Sequence, residues 1–316
     1  MLPVRGTPAT RAFGPSIRAV GRDGAGVPSE SAWSPAGQRT SIDPMDWSAT
    51  DIVIIAALSL VGGTLGGLLG LGGSVFIIPA LTLSFGPNQH LYQAAALIAN
   101  FFVAVAATLR HRGRGTIRGE IAPALATAAG VAAIVGVLVS NMIPARPLMA
   151  LFGVFLCVSS SAEIIGLLLK KSGNEDPEAA RCGKPLATAV GTAGGLASGL
   201  LGIGGGLIIV PLLRRFGKVP MRQAAATSAV AIIAACAVGA VAKNLSIPSL
   251  TDANGNALTV KASLALAALI TPTATLGGVL GATLVYRVPI RALRAIFAIL
   301  LAFAGVRMVL SGIGAN

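Results

Sequence analysis

The chain has 316 residues, of which 54% are hydrophobic, only 11% charged and 4% aromatic. A soluble domain carries about 25% charged residues, so too little charge is present to cover a water-facing surface, and the hydrophobicity excludes disorder for most of the length. The 24 basic residues against 11 acidic ones leave +13, but they sit between long apolar runs instead of alternating with aromatics, which excludes a nucleic-acid surface.

Residues 1–48 are rich in Pro, Gly, Ser and Arg and are predicted to be a disordered extension. No apolar core follows the early arginines, which argues against a signal peptide. Met45 stands just ahead of the first apolar run and is an expected alternative translation start. Beyond it, residues 52–89, 91–109, 121–145, 185–213, 223–242 and 262–286 contain no Asp, Glu, Lys or Arg; 147–169 and 295–313 are apolar apart from Glu163 and Arg307. About 20 apolar residues cross a bilayer as helix. The runs lack period-2 alternation, which excludes a β-barrel. An all-α integral membrane protein of eight hydrophobic helical segments is predicted. Cys157, Cys182 and Cys236 form no CxxC or His/Cys cluster, so no metal and no disulfide framework is expected.

The segments form two homologous sets of four. Residues 62–81 (GGTLGGLLGLGGSVFIIPAL) and 194–213 (GGLASGLLGIGGGLIIVPLL) are identical at 11 of 20 positions at a constant offset of 132. Phe85-Gly86 answers Phe216-Gly217, Gln93 and its three alanines answer Gln223 and its three, and Pro144-x-Arg146-x-Leu148 answers Pro289-x-Arg291-x-Leu293. Shared Leu and Ile arise by chance between apolar segments; Gly, Pro and Gln matched in order do not. The expected organisation is the extension (1–48), a first membrane repeat (49–170), a cytoplasmic linker (171–185) and a second repeat (186–313). Duplicated halves with a Gly-interrupted segment at equivalent positions mark secondary transporters.

The doubled motif, Gly67-Leu-Leu-Gly-Leu-Gly-Gly-Ser74 and Gly199-Leu-Leu-Gly-Ile-Gly-Gly-Gly206, followed by Pro79 and Pro211, resembles that of the sulfite exporter TauE/SafE family of membrane transporters over roughly residues 50–312. Ser74 departs from the pattern in the first copy, and the extension lies outside it. The resemblance implies a multi-pass protein of the bacterial inner membrane that moves small anions, often sulfite, sulfonates or related sulfur compounds.

Residues 52–85 are too long for one straight span, and only seven residues, 207–213, separate the second glycine cluster from Arg214-Arg215. Each first segment is therefore expected to break at its glycines and return to its own side. Each half then crosses three times, the halves are inverted, and both termini fall outside. In this arrangement Arg110, Arg112, Arg114, Arg118, Lys170, Lys171, Arg181, Lys184, Arg214, Arg215, Lys218, Arg222, Arg287, Arg291 and Arg294 share one side, which the positive-inside rule makes cytoplasmic; Arg146, Lys243 and Lys261 occupy short loops on the other.

The expected substrate site is Gly72-Gly73-Ser74 with Gly204-Gly205-Gly206. A glycine cluster exposes backbone N–H groups, and the half-helix after it begins with unpaired donors and a partial positive charge, which suits an anion. Tight helix packing is the competing explanation of the same glycines. Gln93, Gln223, Asn100, Thr227 and Ser228 are candidates to complete the site, with interhelical hydrogen bonding as the alternative role. Pro79 and Pro211 are assigned a structural role. Glu163 is a candidate proton-coupling carboxylate, although near a span end it and Arg307 can snorkel to the interface. His90 and His111 are placed in loops, out of reach of Ser74, so a serine-protease site is not expected; no Rossmann acid or P-loop lysine follows the glycines. The expected partners are a small anion and the bilayer, with no cofactor and no nucleic acid. The predicted function is alternating-access transport of small anions, sulfur oxyanions or sulfonates first; a passive anion channel and a carrier of small carboxylates are the alternatives.

Overall fold

A computed structural model describes residues 47–69, 72–112, 115–168, 182–253, 255–284 and 290–314. The extension, Met45, most of the linker, Arg114, Lys170, Lys171, Arg181 and Arg287 lie outside them. Among the described residues ten α-helices follow one another: α1 Ala49–Leu69, α2 Ser74–Phe85, α3 Gln89–Arg112, α4 Ala122–Met142, α5 Ala145–Leu168, α6 Lys184–Leu201, α7 Gly206–Arg215, α8 Met221–Ser246, α9 Val260–Leu284 and α10 Ile290–Ile313. A 3-10 turn at Ile247–Ser249 extends α8, and an isolated bridge joins Thr251 to Ala257.

Local chemistry sets the helix boundaries. The α1 start carries a capping arrangement: the Ser48 backbone N–H donates to Asp51 Oδ2 at 2.9 Å, and the Asp51 N–H donates back to Ser48 Oγ at 3.3 Å. Proline stands in the first turn of α4 and of α6, where its missing N–H costs nothing. Gly202, at φ 76°, ends α6. Its N–H donates to Ser198 O at 2.8 Å, a left-handed cap.

Among the described residues seven helices are long and apolar enough to cross a membrane: α1, α3, α4, α5, α8, α9 and α10. This is one fewer than the eight apolar stretches. The difference lies in 185–213, which the glycines divide into an 18-residue α6 and a 10-residue α7. Apolar side chains cover the outside: Val131 on α4 is 68% exposed and Ile299 on α10 is 66% exposed. A soluble monomer rarely shows so continuous an apolar surface; hydrocarbon is its natural solvent. α3 and α8 are the most enclosed of the seven.

The packing exchanges equivalent elements between the halves. α1 packs on α9, α6 on α4, α5 on α10, and α3 on α8. Glycines allow the close approaches. On α1, Gly63 lies against Ala274 and Gly67 against Gly278; on α6, Gly191, Gly195 and Gly199 lie against Leu125, Ala129 and Ala133. Numbers rise together in both pairs, so α1 runs parallel to α9 and α6 parallel to α4. α5 and α10 are antiparallel, with Gly153 by Gly305 and Ala150 by Gly312. That register separates Glu163 from Arg307 by ten residues along the axis, about 15 Å, too far to pair.

Candidate glycine-turn site around Asn100

Each first segment is a helical hairpin. Gly62 of α1 packs on Ile77 of α2 and Gly66 on Gly72; in the second half Gly194 of α6 packs on Ile209 of α7. The break falls at the glycines in both copies. Gly72 (φ 85°), Gly204 (φ 74°) and Gly205 (φ 80°) occupy the left-handed region, which side chains with a Cβ rarely adopt. Gly205 is the N-cap of α7 and Gly73, buried with ordinary negative φ, is the N-cap of α2. Neither N-cap residue supplies a side-chain hydrogen bond.

The two turns meet at one side chain. Buried Asn100, midway along α3, donates through Nδ2 to Ser74 Oγ at 2.6 Å and to Gly202 O at 3.3 Å. A Cβ added at Gly72 would stand 3.2 Å from Asn100 Oδ1, and one added at Gly204 would stand 3.2 Å from its Nδ2. The first turns of α2 and α7, each with backbone donors that no helical carbonyl takes up, therefore flank a single amide. Gln93 lies against the outer side of the second turn: its Nε2 donates to Leu200 O at 3.1 Å, and its backbone and Cγ sit where a Gly202 Cβ would be.

The glycines thus serve both roles read from the sequence. Those within α1, α4, α6 and α9 let helices touch; the left-handed ones form the turns. Of the candidates, Gly72, Ser74, Asn100 and Gly204 come together, with Gly73, Gly205 and Gly206 in the same turns and Gln93 beside them. Thr227 and Ser228 are buried, but not here. Thr227 Oγ1 accepts the Arg118 N–H at 3.1 Å at the basic end of the bundle, and Ser228 Oγ donates to Ala225 O of its own helix at 2.9 Å. Gln223 is half-buried in the first turn of α8, nine residues before Ile232, which lines the site beside Gly204. Pro79 is buried inside α2 and Pro211 exposed inside α7. Glu163 is half-buried in the last turns of α5. Gly202 stands in the doubled motif, as Gly70 does in the first copy, but was not among the expected site residues.

Five placements are corrected. His90, His111, Arg146, Lys243 and Lys261 were expected in loops; instead His111 lies in the last turn of α3, Arg146 and Lys261 lie in the first turns of α5 and α9, His90 lies in the first turn of α3, 3% exposed, and Lys243 lies in α8, fully buried. Charge and imidazole end an apolar run in sequence, but here partners 53 to 153 residues away enclose Lys243 and His90. Lys243 Nζ donates to Ser140 Oγ at 2.9 Å, to Asn141 Oδ1 at 2.8 Å and to His90 Nδ1 at 2.9 Å. The repeats are also unequal at the centre: Asn100 answers Val230 and Ser74 answers Gly206, so the Asn100–Ser74 bond has no second copy.

The family described as sulfite exporter TauE/SafE matches residues 55–308, nearly the whole described helical body. The chain belongs to this family. Among curated relatives of this family member, the probable membrane transporter protein MamO of Magnetospirillum gryphiswaldense is 26% identical over 83% of the chain, and the chain spans only 45% of that relative's length. The probable membrane transporter protein YunE of Bacillus subtilis is 26% identical over 83% of the chain and 98% of its own length. A probable membrane transporter protein of Xylella fastidiosa is 32% identical over 57% of the chain and 69% of its own length. No solved structure matches.

Proposed function

We propose that this TauE/SafE family member is a secondary transporter of small anions, sulfur oxyanions or organosulfonates first, that works by alternating access at the glycine turns around Asn100. The observation that carries the reading is the meeting of two half-helix starts at one buried amide. Such starts bind anions through backbone N–H groups without burying a full charge, and broken helices at the interface of repeats are where secondary transporters hold their substrates.

Helix directions support inverted halves. α2 returns along α1, and α3 returns along α2, since Asn100 reaches back to Ser74. α4 runs against α3, because His90 Nε2 bonds Ile143 O and Ser140 bonds Gln93. α4 is therefore opposed to α1, and α6, parallel to α4, starts the second half in the opposite sense. The basic residues support the orientation. Arg118 meets the start of α8, Arg110 donates to Val279 O near the end of α9, and Gly217 packs on Cys182 before α6. Arg112, Lys184, Arg214, Arg215, Lys218 and Arg222 flank the same helix ends, the cytoplasmic side by the positive-inside rule. The inner membrane of a bacterium is the location that follows from the family resemblance.

The test is uptake by proteoliposomes of labelled sulfite, thiosulfate, sulfoacetate and a small carboxylate. A carrier saturates and shows counterflow. Non-saturating flux with channel-like conductance would replace this reading with a passive pore, and selective carboxylate uptake would replace the substrate class.

A further inference from the structure

A second polar cluster lies at the end of the bundle opposite the arginines, on three helices: Gln89 and His90 in the first turn of α3, Ser140 and Asn141 in the last turn of α4, and Lys243 near the end of α8. Lys243 is 0% exposed, and its three donors go to three neutral acceptors: a hydroxyl, an amide oxygen and an imidazole nitrogen. His90 Nε2 faces the Ile143 carbonyl at 3.1 Å, so it carries hydrogen and Nδ1 faces the lysine. The proton between Nδ1 and Nζ resides on one or the other. With that proton bound, the cluster carries one positive charge whichever nitrogen holds it.

Neutral acceptors satisfy N–H groups; they do not cancel a charge. Among the described residues no carboxylate pairs with Lys243. A buried cation without a counter-ion is costly, and its attraction for an anion is strong in a low-dielectric interior. Gln89 adds unspent donors. It is 0% exposed, and neither its Nε2 nor its Oε1 has a partner among the described residues. Gln93 lies one turn further along the same face of α3. From the lysine a hydrogen-bond path leads inward: Lys243 to Ser140, Ser140 to Gln93 Oε1 at 3.1 Å, and Gln93 to Leu200 O, two residues before Gly202.

We propose that Lys243, with Gln89, His90, Ser140 and Asn141, forms a cation-centred binding site for a small oxyanion, an outer station from which the anion passes along Gln93 to the glycine turns. The passage rests on the transport reading above; the binding site does not. The anion supplies the counter-charge and accepts hydrogen bonds from Gln89 Nε2 and from the ammonium, which Asn141, half-buried at the rim, releases.

Purified full-length protein in detergent tests this by ligand-dependent thermal stabilisation with sulfite, thiosulfate, sulfate and acetate, alongside liposome uptake. Lys243→Gln removes the charge and keeps hydrogen-bonding capacity. Asn141→Asp tethers a carboxylate where the anion's charge would lie, and it is expected to fold even where the lysine variant does not. Affinity should fall by about tenfold to a hundredfold in each folded variant, the worth of a charge-assisted hydrogen bond. Wild-type affinity in folded Asn141→Asp overturns the lysine site and leaves the transport reading standing. Lysine-dependent binding without wild-type uptake supports the site and overturns transport. No stabilisation of the wild-type protein by any of the four anions overturns the site.

Discussion

Gly205→Ala separates backbone geometry from side-chain chemistry at the second turn. Two effects add. The left-handed conformation, φ 80° and ψ −13°, costs an alanine about 1–2 kcal/mol. The new Cβ would also stand 2.5 Å from Gly194 O and 3.0 Å from Gly194 C. These are backbone atoms that cannot swing aside, so α6 and α7 must part, and overpacking of this kind costs about 1–3 kcal/mol. The sum is about 2–5 kcal/mol. Gly255→Ala is the control, since φ is 86° there but nothing lies within 4 Å of the added Cβ; only the conformational part, about 1–2 kcal/mol, applies. Thermal unfolding in detergent reads the difference, and sulfite uptake by liposomes reads the consequence. Gly205→Ala should insert into the membrane, melt well below Gly255→Ala, and lose uptake. Equal melting of the two variants, or wild-type uptake by Gly205→Ala, would refute the assignment of this turn as a tightly held substrate site.

Other outcomes follow from the same geometry. Asn100→Ala leaves the Ser74 hydroxyl and Gly202 carbonyl without the amide and should destabilise by about 1–3 kcal/mol while abolishing uptake; chemical denaturation and transport assays check both. Gly199→Val drives a side chain into the Ala133 carbonyl of α4, so folded yield should collapse, as judged by size-exclusion chromatography, because the packing glycines are needed before any transport step. Single cysteines placed at Lys218 and Asn256 should react with an impermeant maleimide from opposite sides of an oriented vesicle; labelling of both from one side would sink the inverted arrangement. Burial pushes the Cys182 thiol above its ordinary range, and Arg118 nearby opposes the shift. The thiolate is the reactive form, so alkylation at Cys182 should stay slow at neutral pH and climb only in the alkaline range, tracked by mass spectrometry; ready reaction at neutral pH would contradict that environment.

Much of the fold was legible because a bilayer simplifies the code. Long uncharged runs read as helices, and the doubled Gly-Pro pattern located both hairpins. What sequence reasoning could not see was which face each polar residue takes. Thr227 and Ser228 sit on the helix equivalent to α3, close to the position that answers Asn100, yet one serves a loop amide and the other its own backbone. Gln93 and Asn100 were legible because their spacing of seven keeps them on one face. Lys243 was read as a boundary, since hydropathy weighs a charge by its type alone; Ser140, Asn141 and His90 lie 103, 102 and 153 residues away, and no local pattern announces such a group. The division of 185–213 into α6 and α7 left α6 with 18 residues that start on Lys184-Pro185 and carry four glycines, too little hydropathy to rank with the other spans.

The missing second copy of the Asn100–Ser74 bond has a kinetic meaning. Were the two halves identical, exchanging their conformations would convert the outward-facing state into an equal-energy inward-facing one, and an empty carrier would divide its time evenly. Val230 and Gly206 remove that degeneracy. Asn100 of the first half holds both hairpins, the first through the Ser74 hydroxyl and the second through the Gly202 carbonyl, and Val230 returns no such bond, so under the proposed alternation the two orientations of the unloaded protein differ in energy. Under the proposed alternation, Asn100→Val would restore the balance between the two orientations and change which membrane face has the higher apparent affinity.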